Sequence, residues 1–524
     1  MSPPAESYLT LAGHRAHRRW GALVESTASS GTAHHPHHPR DYVGVIYGDV
    51  GSTAFRCAVF EPLERNDYVQ VRHETAGWVL GRVDDLERRT DLSLDRSLLL
   101  GAGENLDIEE KISADIHVIG YRDDRDLLQV PRTPFRAGEH VHHATETVIR
   151  KVIGLKHDEK HGAYVGMLSG HDIPIFLDIN GMVQKHVSVI AKTGGGKSYA
   201  VGVLMEEFMK HHVTTIILDP HGEYASLAER GKEADSMKRF GVRPHAYDGQ
   251  IVEFSPETKV NPRAKPLRFT LSNLDARDIL GLTTSGGKVR AHLTQLRKAL
   301  DLLRTSTKDY SIADIIRVLE RDAEEDPSVN SLIDELEYLR EVDIFAREGT
   351  RIDELVAKGK ATIINLKGTP PDIQDLIVNR ICTALFELRK VNRIPPMMLV
   401  VEEAHNFCPQ VGAVNSSKIF RTIASEGRKF GLGLVIVTQR AAKVDKNVLS
   451  QCNTQLILKV TNPNDLKAIT ASVEGLTAAM AEEIQRLPIG VAIVVGGGVQ
   501  MPLLVEVRPR ETRHGGESVK VIED

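Results

Sequence analysis

One eight-residue run, Ala191-Lys192-Thr193-Gly194-Gly195-Gly196-Lys197-Ser198, follows an apolar stretch and opens a helix-forming one. Consecutive glycines let backbone N–H groups turn inward on an anion, and a helix beginning there adds its positive end. In such a loop Lys197 reaches the β- and γ-phosphates and Ser198 offers its hydroxyl to Mg²⁺. Thr193, Gly194, Gly195, Gly196 and Tyr199 complete the expected contacts with ATP. Alanine stands at 191, where the usual motif has its first glycine. It is the smallest replacement, and close backbone approach is needed only at the later glycines.

Hydrolysis needs more than a phosphate cradle. The apolar run Met397 to Val401 ends in Glu402-Glu403, and carboxylates at the C-terminal end of a buried strand lie where open α/β sheets bind ligands. Successive strand residues point to opposite faces, so Glu402 is expected in the metal shell and Glu403 against the lytic water. A second strand, Val213 to Leu218, leads into Asp219-Pro220-His221-Gly222-Glu223-Tyr224, where Asp219 can complete the Mg²⁺ shell or hold the water. Leu432 to Val437 runs into Thr438-Gln439-Arg440, and a Gln439 amide at that edge can sense the γ-phosphate. Arg428, near the end of the preceding helix, fits two roles: a cation at a helix C-terminus, or a finger reaching a neighbouring subunit's nucleotide. Lys443 and Lys446, just beyond the sensor strand, are candidates for DNA phosphates as well as for an ordinary solvated loop.

These residues must be positioned by strands alternating with helices. The pattern predicts strands at 186–191, 213–219, 361–366, 397–402 and 432–438, with helices at 197–211, 372–390 and 416–429. Nearly all-apolar strands in such alternation imply a parallel sheet covered on both faces. Between about 271 and 358 the pattern changes. Val289, Leu293, Leu296, Leu300 and Leu303, then Leu332, Leu336 and Leu339, recur at helical spacing and predict an inserted helical bundle. Upstream, short alternating runs from Tyr42 to Tyr121, separated by Gly and Asp clusters, predict a small β-barrel over 41–150, followed by the ATPase domain over 151–507. Residues 1–40, rich in Ser, Pro and His, read as a disordered head, and 508–524 as a C-terminal tail.

Composition bounds the function. The 524 residues carry 66 Lys plus Arg against 71 Asp plus Glu, a net charge of -5, which excludes a uniformly basic nucleic-acid coat but permits a basic channel within an acidic assembly. Four cysteines without CxxC spacing suggest a reducing, cytoplasmic location and no zinc knuckle. Leu487 to Val505 is long enough to span a bilayer, but its Gly496-Gly497-Gly498 run and two prolines favour two strands joined by a turn.

Taken together, Lys185-His186, the 193–198 loop, Asp219 to Tyr224, Glu402-Glu403-Ala404-His405, Gly427-Arg428-Lys429, Thr438-Gln439-Arg440, Arg508-Pro509-Arg510 and His514-Gly515-Gly516 resemble the HerA family of hexameric DNA translocases. The resemblance implies a RecA-like P-loop ATPase core related to FtsK, assembled as a homohexamer around double-stranded DNA, with the barrel docking a NurA-type nuclease for end resection in break repair. It further implies Lys197 and Ser198 for nucleotide and Mg²⁺, Asp219 and Glu403 for hydrolysis, Gln439 as sensor and Arg428 as the finger acting in trans. Lys185 stands where relatives often carry arginine, so a bidentate phosphate contact is replaced by a point charge. Two other activities share the same ATP site: a ring scaffold that activates a nuclease without moving, and a conjugation-type DNA pump.

Overall fold

The computed structural model describes residues 41–516 apart from 281–288, 307–309, 324–328, 342–343, 347, 474 and 477; the His/Pro head and the last eight residues lie outside the described residues. The chain divides into two compact units at Gly154/Leu155.

In the first unit β1 (Gly44–Tyr47), β2 (Ala54–Val59), β3 (Tyr68–His73), β4 (Gly77–Thr90), β5 (Glu110–Arg122), β6 (Leu128–Gln129) and β7 (His140–His143) form one antiparallel sheet in the order β2-β1-β7-β3-β4-β5-β6. Pairing of β2 with β5 closes six of these strands into a barrel, with β6 added on the outside of β5. Closure removes the open edges a six-strand sheet would otherwise present. The inward residues are those the alternation selects, including Phe55, Cys57, Val69, Val71, Val79, Val83, Ile116, Val118 and Val141. Helix α1 (Leu94–Gly101) joins β4 to β5, and α2 (Glu146–Ile153) ends the unit, capped by the Thr145 hydroxyl and by Gly154 in the left-handed conformation.

The second unit contains β8 (Gly162–Leu168), β9 (Pro174–Asp178), β10 (Val187–Ile190), β11 (Thr215–Asp219), β12 (Ile251–Ser255), β13 (Lys265–Pro266), β14 (Phe269–Thr270), β15 (Phe345–Ala346), β16 (Ala361–Asn365), β17 (Met397–Val401), β18 (Leu432–Thr438), β19 (Thr454–Ile457), β20 (Val491–Gly496) and β21 (Val499–Val507). Twelve of them make one sheet, β13-β12-β16-β11-β17-β18-β10-β19-β20-β21-β8-β9, and β14 pairs only with β15. The run from β13 to β19 is parallel, and β10, β11, β16, β17, β18 and β19 are buried along their whole length. From β19 onward the pairing is antiparallel. The strands expected from the β/α alternation all lie in the parallel run, and the two expected within Leu487–Val505 correspond to β20 and β21, between which the glycine turn at 496–498 returns the chain directly, with no crossover helix.

Helices α3 (Ile179–Lys185) and α4 (Lys197–Lys210) flank β10 in sequence. The insertion holds α5 (Val289–Ser306), α6 (Ile312–Ala323) and α7 (Asn330–Glu341). Leu296, Leu300, Leu303, Leu332, Leu336 and Leu339 are all in the core, as their spacing requires, whereas the Val289 side chain lies outside the described residues. Helices α8 (Pro371–Lys390) and α9 (Ser417–Phe430) complete the layers that position the site.

Candidate ATPase site

The phosphate loop leaves β10 and enters α4, with Gly194 at φ 71° and Gly196, the N-cap of α4, at φ 91°. Those left-handed values suit glycine. A Cβ on Gly195 would come 2.9 Å from the Lys192 carbonyl oxygen, so this position also excludes a side chain. Ala191 is buried and is not among the residues with positive φ, which explains why a methyl group is tolerated there.

Lys197 Nζ donates to Glu402 Oε1 and, at 2.8 Å, to Glu403 Oε1. Both carboxylates thus converge on one ammonium, which corrects the expectation that they diverge to opposite faces. β17 ends at Val401, and Glu403 adopts φ 48°, ψ 47°, a left-handed conformation that redirects its side chain. For a non-glycine residue that backbone costs about 1–2 kcal/mol, and such strain tends to sit at functional sites. Burial works against a charged Lys197, but the two carboxylates outweigh it and hold its pKa above the usual lysine value.

Glu402 is fully buried, and its other oxygen accepts from the Tyr224 hydroxyl at 2.5 Å. Glu403 Oε2 is buried without a hydrogen bond. His405 Nδ1 lies 3.2 Å from that oxygen and 3.2 Å from Thr438 Oγ1, but only the Thr438 contact has hydrogen-bond geometry. Burial lowers the His405 pKa despite the adjacent Glu403. A neutral imidazole leaves Glu403 Oε2 as an acceptor for water. On the opposite wall the Thr193 hydroxyl donates to Gln439 Oε1, joining the phosphate loop directly to the end of β18.

Asp219 comes to the same edge, but its carboxylate is occupied. Oδ1 accepts from the N–H of His221 and Gly222, at 3.3 and 2.8 Å, and Oδ2 from that of Tyr224 at 3.0 Å. It holds the turn that delivers Tyr224 to Glu402, so its position here is that of a loop organiser. Burial pushes its pKa up. Ser198 Oγ and the Glu402 carboxylate are hard oxygen donors of the kind Mg²⁺ takes together with nucleotide phosphates, so the residues present fit that ion. Lys443 and Lys446 are exposed just past β18.

Lys185 is not brought to this edge. It ends α3 and accepts the Asn453 N–H through its carbonyl, at the start of β10 rather than after it. Arg428 lies on the same far side, exposed in the last turn of α9 just before β18. Seven residues of β18 separate the two edges, about 20 Å at about 3.3 Å each. His186, beside Lys185, is a structural bolt: Nδ1 accepts from Leu434 N–H at 2.9 Å and Nε2 lies 3.1 Å from the Ala424 carbonyl.

Residues 163–385, which hold the phosphate loop and β11, match the family described as Helicase HerA, central domain. Over that stretch the chain is similar to the HerA family. Among HerA-like relatives, the probable DNA double-strand break repair helicase HerA of Methanocaldococcus jannaschii is 26% identical over 538 residues, covering 92% of this chain and 98% of its own. A probable helicase of the same organism, MJ1565, is 28% identical over 445 residues, covering 78% of each. Of solved structures, VirB4 of Thermoanaerobacter pseudethanolicus superposes with a TM-score of 0.50 at 14% identity, covering 67% of this chain and 97% of that one, a likeness of fold.

Two features of this HerA-like site escape sequence reasoning. One is the Tyr224 hydroxyl on Glu402. The other is the segment after β21, predicted as a tail, which instead packs along α4. Arg508 is fully buried and donates to Glu206 Oε2 at 2.8 Å and Glu207 Oε1 at 2.7 Å. Glu206 Oε1 also accepts the Glu511 and Thr512 N–H groups, at 3.0 and 2.9 Å. The one available signal was an acidic pair inside the otherwise apolar helix 200–209, which demands buried cations. Arg508→Ala leaves Glu206 and Glu207 buried without their guanidinium and is expected to lower stability by about 3–5 kcal/mol, measured by urea unfolding.

No helix among the described residues is long and apolar enough to cross a membrane.

Proposed function

We propose that this protein is an ATP-driven translocase on double-stranded DNA that works as a homohexamer with a NurA-type nuclease in resecting broken ends. The supporting observation is the convergence of Lys197, Glu402, Glu403, Thr193 and Gln439 at the C-terminal edge of the sheet. A loop lysine, an adjacent orphan carboxylate oxygen and a polar sensor are the parts that phosphoryl transfer to water requires. Mg²⁺, held by Ser198 and Glu402, would offset charge on the phosphates. Glu403 Oε2 takes the proton of the attacking water, Lys197 carries the terminal phosphates, and Gln439 passes their loss to the loop with Lys443 and Lys446. The names of relatives that cover nearly the whole chain favour DNA as the track.

Arg428 and Lys185 share the edge away from their own phosphate loop, which suits groups that serve the neighbouring subunit's nucleotide in a ring. The barrel, folded as a unit of its own, suits a docking role for the nuclease.

The deciding measurement is ATP turnover against duplex DNA. Stimulation that weakens as salt rises is expected, because the grip is on phosphates. An unresponsive hexamer would overturn the DNA reading. Displacement of a triplex strand separates a moving motor from a stationary scaffold.

A further inference from the structure

We propose that the segment Arg508 to Gly516 forms the nucleoside end of the ATP site, with the base stacked against the Tyr199–His514 pair; this deepens the ATPase reading and rests on it. Tyr199 directly follows Ser198 in the first turn of α4. The His514 ring lies 5.6 Å from the Tyr199 ring at 67°, edge to face. Arg510 fixes the pair from behind. Its backbone N–H donates to the Tyr199 hydroxyl oxygen at 2.8 Å, and its Nη1 lies 3.3 Å from His514 Nδ1. The guanidinium occupies the space over Gly202, where a Cβ would come 2.5 Å from Arg510 Cζ, so the segment can lie this close only because α4 has glycine at that position.

The segment runs antiparallel to α4, from Glu206 and Glu207 toward the phosphate loop. Arg508, Arg510, Glu511 and Thr512 are buried, whereas Tyr199 and His514 are only half-buried, so the aromatic pair keeps accessible surface where the strap meets the site. Beyond it, Gly515 lies against the Glu223 carbonyl, where a Cβ would come within 2.4 Å. Glu223 Oε2 is buried and without a hydrogen-bond partner, an acceptor that a ribose hydroxyl would satisfy. Stacking surface and a hydroxyl acceptor are of no use to a phosphate chain and are what a nucleoside requires. Base stacking on aromatic rings is tolerant of base identity, with the larger purine face favoured.

The test is calorimetric titration of the full chain with Mg·ADP and, separately, Mg·tripolyphosphate, which carries phosphates without a nucleoside. His514→Ala is expected to weaken ADP about 5- to 10-fold and leave tripolyphosphate unchanged. His514→Phe, which keeps an aromatic ring, is expected to return ADP binding to within about 2-fold of the parent. Equal weakening of both ligands by His514→Ala, no weakening of either, or failure of His514→Phe to restore ADP would each overturn the proposal. A parent protein that binds neither ligand would instead defeat the ATPase reading itself.

Discussion

Lys197→Ala is expected to lower ATP turnover by about 10³-fold, the loss seen when a single preorganised charge-stabilising group is removed from an active site. Lys197 pairs with both Glu402 and Glu403, and it stands at the first residue of α4, where the helix end already favours anions. The same substitution leaves two buried carboxylates facing each other, so the unfolding temperature should fall as well. Glu403→Gln separates the two effects. It keeps the shape and a hydrogen-bond acceptor for Lys197 but cannot take a proton, so ATP binding should persist while turnover falls by a similar factor. Steady-state hydrolysis together with nucleotide titration reads both quantities. A Lys197→Ala protein retaining more than about a tenth of parental turnover would mean that phosphoryl transfer takes place elsewhere.

Arg428→Ala should lower turnover by about 10³-fold or more while the ring still assembles, in keeping with fingers that act between subunits. The reason is geometric: Arg428 lies a full strand length from its own phosphate loop, and its exposed side chain is directed by a helix whose end Gly431 closes in the left-handed conformation. Mixing inactive Arg428→Ala with inactive Glu403→Gln should recover hydrolysis, because some interfaces then pair an intact finger with an intact carboxylate. Size-exclusion chromatography with light scattering verifies that mixed rings form. Mixed rings that stay inactive would return Arg428 to the role of a helix-end cation.

The insertion and the phosphate loop were legible for different reasons. Leucines at spacings of three and four select one face of a helix, and the core received Leu296, Leu300, Leu332 and Leu336 accordingly. The loop was legible because glycine, lysine and serine at fixed offsets answer a local need of backbone and phosphate, and Gly194 and Gly196 duly take positive φ. The Glu402-Glu403 pair was visible as chemistry but misread as geometry. Strand alternation holds only within a strand, and the left-handed turn at Glu403 begins where β17 stops.

Lys185 was placed locally, just before β10 and so at the end opposite the phosphate loop, whereas the packing of the chain end was harder to place because it depends on partners far along the chain. Arg508 was placed by Glu206 and Glu207, some three hundred residues earlier. By itself the sequence determined the elements, the phosphate loop and the residue types capable of hydrolysis, because each follows from spacing over a few residues. Only the tertiary structure decided that both glutamates share Lys197, that Asp219 organises a turn holding Tyr224 on Glu402, and that the chain end packs along α4. Those arrangements follow from burial, which forces each charge away from water to find its partner wherever the fold brings one near.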